Sequence, residues 1–417
     1  MRVFKFGGAS VRDAENVRNV CQVLQTIGYE DCLIVASAMG KTTNALETVV
    51  HNYFQNRFDL AESVDLVKEY HFAIVEELFP NKEHDIYNRL KELFDSITYF
   101  LLNNKSPNYN FVYDQIVSQG EIISTIILHH FLLDSNIVNE WVDARNLIKT
   151  DTTYRDANVN WNVTVENIKR EINRPTLCIT QGFIGSDYNG FSTTIGREGS
   201  DYSAAIFAYA IEAQSVTIWK DVPGVLNADP RYFNETVLLE HISYQEAIEL
   251  AFYGASVIHP KTLQPLRQKE IPLFVKSFIN PSLAGTNVSK GAPLTPEVPC
   301  FIVKKNQLLI SLSSKDFSFI MEQNISDIFK LFCEYNIKVN VIQNSAISFS
   351  VCVEDKFNLF EDLRLRLIND YKVSYNENVS LYTVRHFDQY SADKILKDKT
   401  LLLKQVNRET MQIVTKE

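Results

Sequence analysis

Glycine is scarce in this chain, 14 in 417 residues, well under the usual share of about 7%. Several nucleotide and metal signatures are absent altogether. No G-x-G-x-x-G follows an expected strand, which removes the dinucleotide fingerprint and a fused dehydrogenase with it. "VASAMGKTT" ends like a phosphate-binding P-loop, but the first glycine would fall on Val35, so that pattern fails. The eight histidines form no H-E-x-x-H and no zinc-spaced set with cysteine, which argues against a tightly held protein-ligated metal. The six cysteines, Cys21, Cys32, Cys178, Cys300, Cys333 and Cys352, contain no C-x-x-C and mostly sit in apolar runs, as reduced buried thiols do. Positive charge is also short: 41 Lys and Arg against 51 Asp and Glu leave a net charge of −10, so a nucleic-acid groove is not expected. No run reaches the roughly 18 apolar positions of a membrane span, and Met1 leads straight into a strand with no signal peptide. These absences together predict a cytoplasmic, soluble chain of two or three domains.

What is present begins as α/β. A strand at 2–6, a helix at 11–27 and the strand "CLIVAS" at 32–37 spell β-α-β, the unit of a parallel sheet covered by helices. From 42 to 134 the apolar residues recur at spacings of three and four, predicting a helical lobe. Strands are expected again at 138–143, 177–184 and 215–219, helices at 201–212 and 244–252, and "PLFVKSF" as the last strand of the region. "SKGAPLTPEV" at 289–298 reads as a boundary. Beyond it, β-α-β-β and then three short strands predict an α+β region of two similar units, the second short of helix.

The few glycines are concentrated: eleven of the 14 lie near expected strand ends or helix starts, five of them within 182–199. There they let backbone amides approach a ligand. In "KFGGAS" the Gly7-Gly8 turn stands beside Lys5, and Ser10 with Asp13 reads as the capping box of the next helix. That arrangement suits an anion as readily as a plain bend. "TTIGREGSD" sets Arg197 and Asp201 at a helix start, the arginine offering a planar fork for a carboxylate. "SQGE" places Glu121 in a first turn, either matched to the helix dipole or facing a ligand ammonium. "WKDVPGVLNADPR" and "YGASVIHPKT" add Asp221, Asp229, Arg231, His259 and Lys261.

Taken in order, "KFGGAS", "SAMGKTTN", "SQGE", "TQGFIGSDYNGFSTTIGREGSD", "WKDVPGVLNADPR" and "GASVIHP" resemble the six motifs of the aspartate kinases. "KVNVIQNSAISFSV" resembles the effector-binding strand pair of an ACT domain. The resemblance implies a three-layer α/β/α amino-acid-kinase domain of the carbamate-kinase-like kind over 1–290, with its helical lobe at 42–134. It implies an ACT-like regulatory region over 299–417 whose second unit is truncated. The implied reaction moves the γ-phosphoryl of MgATP to the side-chain carboxylate of L-aspartate, opening lysine, threonine and methionine biosynthesis.

Carried onto this sequence, the resemblance makes Lys5 and Asp201 catalytic, and Gly7, Gly8 and Ser10 the phosphate cradle. Ser37, Thr43, Glu121, Arg197 and Ser200 would hold aspartate, and Lys220, Asp221, Leu226, Arg231 and Lys261 the ATP. Asn340, Gln343 and Asn344 would face a lysine or threonine effector, and no protein-ligated metal is implied. A homo-oligomer through the ACT units is expected, with no nucleic-acid or membrane partner. The chain departs from the pattern at Ala9, Glu198, Lys220, Leu226 and Ser256, where Lys261 could replace a missing lysine charge. The competing readings are an inactive amino-acid-sensing relative and a kinase for another acidic amino acid.

Overall fold

The computed structural model describes residues 1–172, 176–255, 258–291 and 293–416; Ser256 lies outside them. The chain divides into two units, one of residues 1–225, 238–248 and 258–294, the other of 226–237, 249–257 and 295–417.

The first unit opens with β1 (Arg2–Phe6), α1 (Ala14–Ile27), β2 (Cys32–Ala36) and α2 (Thr42–Gln55). Helices α3 (Leu60–Leu78), α4 (Asp85–Asn103), α5 (Tyr109–Val117) and α6 (Gln119–Asp134) follow as the expected helical lobe. Then come β3 (Asn139–Val142), α7 (Ala144–Leu147), α8 (Trp161–Glu171), β4 (Leu177–Gln181) and the small strands β5 (Ile184–Ser186) and β6 (Ser192–Thr194). After them run α9 (Gly199–Ile211), β7 (Ser215–Lys220), β8 (His241–Ser243), α10 (Tyr244–Tyr253, whose residues from 249 on belong to the second unit), α11 (Pro260–Gln268), β9 (Leu273–Ser277) and β10 (Thr286–Ser289). Strand β10, beyond "PLFVKSF", pairs antiparallel with β9 and parallel with β8.

The main sheet runs β3-β4-β2-β1-β7-β9-β10-β8 and is parallel from β3 through β9. Strand β2 is buried at every position, as a strand covered on both faces must be. Helix α9, apolar all round, packs on β1, β2 and β7, while α6 packs on β2, β3 and β4. The stretch Tyr109–Asp134 is long and apolar enough to cross a membrane, contrary to the expectation that no run is. Within this unit 72% of its most apolar window is buried, which accounts for its composition without a bilayer.

One local expectation fails. Ser10 does not cap the first helix: it sits in a 3-10 turn, Gly8–Val11, and its hydroxyl donates to the Trp219 carbonyl at 3.3 Å. Asp13 is the cap instead, accepting the Asn16 amide at 2.8 Å, because the extra tight turn moves the helix start three residues on.

The second unit contains β11 (Cys300–Ser314), α12 (Glu322–Glu334), β12 (Lys338–Asn344), β13 (Ser348–Glu354) and α13 (Phe360–Leu367). It continues with β14 (Tyr371–Arg385), α14 (Ser391–Leu396), β15 (Thr400–Val406) and β16 (Thr410–Lys416). Its sheet is antiparallel in the order β12-β13-β11-β14-β16-β15. Strands β11 and β14, 15 residues each, serve both halves. One half closes over Ile328, Phe332, Phe349 and Leu363. The other closes over Phe301, Val384, Ile395 and Ile413, with a helix of only six residues.

Candidate active site

The C-terminal ends of β1, β2 and β4 and the first turns of α6 and α9 converge, as ligand crevices of open α/β sheets do. Lys5, at the end of β1, is buried, and its Nζ lies 2.6 Å from Asp201 Oδ1 in the first turn of α9. Just beyond Lys5 the chain turns, and the amides of Gly7, Gly8 and Ala9 donate to no acceptor among the described residues. A side chain at Gly7 would start 3.4 Å from Lys5 Nζ, so that glycine opens the space in front of the ammonium. At Gly8 a Cβ would stand 2.9 Å from the carbonyl oxygens of Ala38 and Gly40. The Gly40 amide also donates to the Gly8 carbonyl at 3.0 Å. The turn after β2 is thereby fastened to the turn after β1.

Glu121 forms the floor. It is 2% exposed; one carboxyl oxygen accepts the Ala38 amide at 3.4 Å and the other has no partner. Burial pushes its carboxyl up to about 8, against the pull of that amide and of Lys5. The free protein therefore holds Glu121 largely protonated at neutral pH, with an unused oxygen to offer a cation. Ser37 is joined to this wall by its amide to the Phe6 carbonyl at 3.0 Å and by its carbonyl, which accepts Ser124 Oγ at 2.7 Å. Thr43 follows, half-buried, in the first turn of α2.

The third wall comes from β4 and α9. The Gly182 amide donates to the Ala36 carbonyl at 2.9 Å, and a Cβ on Gly182 would meet Ser200 at 2.5 Å, so this glycine lets Ser200 press against the strand end. Glu198 has a left-handed φ of +53°, the conformation glycine adopts most freely. Arg197 is exposed and makes no hydrogen bond or ion pair among the described residues. Lys261 Nζ pairs with Asp156 at 2.6 Å and lies 3.6 Å from where a Gly196 side chain would begin, beside the Arg197 loop. Lys220 ends β7, whose Trp219 carbonyl holds Ser10, and Asp221 follows it. Leu226 and Arg231 belong to the second unit, where Arg231 pairs with Asp229 at 2.6 Å.

The geometry thus joins Lys5, Gly7, Gly8, Ser10, Ser37, Glu121, Ser200 and Asp201 in one crevice, with Arg197 on an adjoining loop and Lys261, in the first turn of α11, beside that loop. A cleft of about 610 Å³ at the edge strand β3, between His129, His130 and Trp141, contains none of the expected residues. Sequence reasoning overlooked two carboxylates near the Arg197 loop, Asp114 and Asp156. The signal for Asp114 was present, an acid inside the apolar helix "FVYDQIV"; Asp156, in a polar loop, carried none. In the second unit Asn340 is occupied, accepting Lys304 Nζ and donating to Gln307, each at 2.8 Å, whereas Gln343 and Asn344 are exposed.

A parallel helix-flanked sheet with an amide cradle, a buried lysine and an acid at a helix start defines a phosphoryl-transfer protein of the amino acid kinase family, whose family model matches residues 1–277. The chain belongs to that family, and within it to the aspartokinases. It is 32% identical over 358 residues to the lysine-sensitive aspartokinase 3 of Escherichia coli, covering 84% of this chain and 78% of that protein. It is 30% identical to the bifunctional aspartokinase/homoserine dehydrogenase of Buchnera aphidicola, covering 91% of this chain but only 49% of the relative. Two crystal structures of E. coli aspartokinase III superpose on it. The complex with lysine and aspartate has a TM-score of 0.83 at 26% identity, covering 99% of this chain and 95% of the other. The complex with aspartate and ADP has a TM-score of 0.80 at 27% identity, covering 100% and 96%.

Proposed function

We propose that this chain transfers the γ-phosphoryl group of ATP to the side-chain carboxylate of L-aspartate, giving 4-phospho-L-aspartate. The observation that carries the reading is the buried Lys5–Asp201 pair facing three unpartnered amides at Gly7, Gly8 and Ala9. Such a cradle fits the oxygens of a polyphosphate. Asp201 holds Lys5 there, and the ammonium neutralises charge on the moving phosphoryl group. Ser10 fixes the turn through the Trp219 carbonyl. An aspartate carboxylate is already a nucleophile at neutral pH. Its oxygen forms the new bond to phosphorus as the bond to the β-phosphate oxygen breaks, ADP leaves, and no proton needs to move. Catalysis then reduces to positioning and charge.

Arg197, unpaired and exposed, takes the α-carboxylate of aspartate. The unused oxygen of Glu121 takes its ammonium, and the hydroxyls of Ser37, Thr43 and Ser200 complete the contact. Lys220, Asp221 and Lys261 serve the nucleotide. Magnesium would enter bound to the phosphates of ATP. Gln343 and Asn344 of the C-terminal unit, with Asn340 behind them, face an amino-acid effector, and the chain works as a homo-oligomer. Six free cysteines, five of them buried, suit a cytoplasmic setting.

The test is ATP-dependent formation of an acyl phosphate, trapped as the hydroxamate. L-Aspartate supports it in this reading. Product with L-glutamate alone would make the chain a kinase of another acidic amino acid, and product with neither would favour an amino-acid sensor. Repeating the assay with lysine, threonine and methionine identifies the effector.

A further inference from the structure

Asp114, on α5, is wholly buried, and its carboxylate is held by two chain segments remote in sequence. Its two oxygens accept the Arg155 amide at 3.2 and 3.1 Å. Oδ2 also accepts the Thr194 amide and Oδ1 the Thr194 hydroxyl, each at 2.8 Å. A buried carboxylate is costly unless its lone pairs are filled, and here they are filled entirely by groups whose positions it thereby fixes.

Both segments lead to the Arg197 loop. Thr194 ends β6, and only Ile195 and Gly196 separate it from Arg197. The Thr194 carbonyl also accepts the Ala157 amide at 2.9 Å, tying the Arg155 segment to β6 a second time. Arg155 is held in a left-handed φ of +72°, a conformation non-glycine residues adopt only under constraint. One residue further, Asp156 Oδ1 lies 2.2 Å from where a Gly196 side chain would begin and binds Lys261. Gly196 itself has a φ of +86°. The path from β6 to Arg197 is therefore bounded by Thr194 behind and Asp156 beside it, and Asp114 anchors both.

We propose that Asp114 is a positioning residue for aspartate recognition, setting through Thr194 and the Arg155–Asp156 segment the place from which Arg197 reaches the substrate carboxylate. This rests on the assignment of Arg197 to aspartate given above. Burial also pushes the Asp114 carboxyl up to about 6. The charged and titratable groups facing it are the Arg155 guanidinium and the phenols of Tyr113 and Tyr154, both phenols pushed further above neutrality. Between pH 7 and 8 Asp114 is thus the ionised acceptor this network requires.

The experiment is a double-mutant cycle in the full chain, with steady-state kinetics on wild type, Asp114→Asn, Arg197→Ala and the double variant. Asp114→Asn presents an NH₂ group to donors and misplaces the loop. It is expected to raise the aspartate KM by about tenfold with kcat within about threefold, since small misplacements of a binding group are costly. In the Arg197→Ala background the same substitution changes the aspartate KM less than about twofold, because nothing remains to position. An equal rise in both backgrounds, or no rise in either, overturns the inference. If Asp114→Asn does not fold, Thr194→Val removes only the hydroxyl bond and is expected to raise KM by about threefold, again only when Arg197 is present. Wild type inactive on aspartate, or Arg197→Ala with an unchanged aspartate KM, defeats the site assignment itself. Wild type active and Arg197→Ala impaired, with Asp114→Asn and Thr194→Val both normal, defeats the positioning role alone.

Discussion

At the scale of single residues, the proposed function gives one charge to the phosphoryl group and others to the amino acid. Lys5 is buried against Asp201 and faces the amide cradle, whereas Arg197 stands unpaired on a loop. Lys5→Ala is expected to lower kcat by about 10²-fold or more, the usual effect of removing a preorganised donor to developing charge. Arg197→Ala is expected chiefly to raise the aspartate KM. Steady-state kinetics distinguish the two, and wild-type constants in either variant remove that residue from the site. Glu121 gives a prediction about pH. Its carboxyl is pushed from an ordinary 4.5 up to about 8, so the folded chain binds this proton more tightly than the unfolded chain. The stabilisation is fully present below about 4.5 and is lost as pH rises through about 8. Glu121→Gln, which cannot ionise, is therefore expected to gain Tm relative to wild type as pH increases from 5 to 9 in the absence of ligand. A Tm difference that stays flat across that range would show that Glu121 is not buried as a neutral acid.

At the scale of elements, the β1 turn is fastened closely to the β2 turn. Gly8→Ala would drive a Cβ to 2.9 Å from two backbone carbonyl oxygens, and backbone cannot yield as a flexible side chain can. A loss of about 1–3 kcal/mol is expected, read by chemical denaturation, together with weakened ATP binding because the cradle shifts. An alanine variant of wild-type stability and ATP KM would contradict this packing. The sequence made the strands of this region legible because wholly apolar runs such as "CLIVA" have few other uses in an α/β chain. It also showed the glycines, which are rare enough that a cluster is a signal. Two kinds of feature were hidden. Helix α7 has only four residues, and α8 and α11 are short and polar overall, so few apolar residues mark them. The 3-10 turn that carries Ser10 differs from a helix start only in whether the hydroxyl finds a local amide or the distant Trp219 carbonyl. That choice is made by tertiary structure. The same reason explains Asp114, whose partners lie 41 and 80 residues away.

At the scale of the whole molecule, the boundary read at 289–298 marks where the texture of the sequence changes, but the second unit also recruits residues 226–237 from upstream. The recruitment has a physical cause. The six-residue helix α14 supplies Ile395 and little else to the second half of the C-terminal sheet. Phe233 and Ala228 fill what remains. The Phe233 ring lies 5.3 Å from that of Phe301, and the Phe301 amide donates to the Asn227 carbonyl at 2.7 Å. The other half has its own core around Phe332 and Phe349 and borrows nothing from this segment. Phe233→Ala in the full chain is therefore expected to cost about 3 kcal/mol, as for other truncated core phenylalanines, and to act on one half of the sheet. Amide exchange should accelerate at Val384 and Ile413 while Phe349 and Val351 keep their protection, because local stability follows local packing. Equal acceleration in both halves would mean that β11 and β14, shared along their 15 residues, weld the sheet into a single cooperative unit.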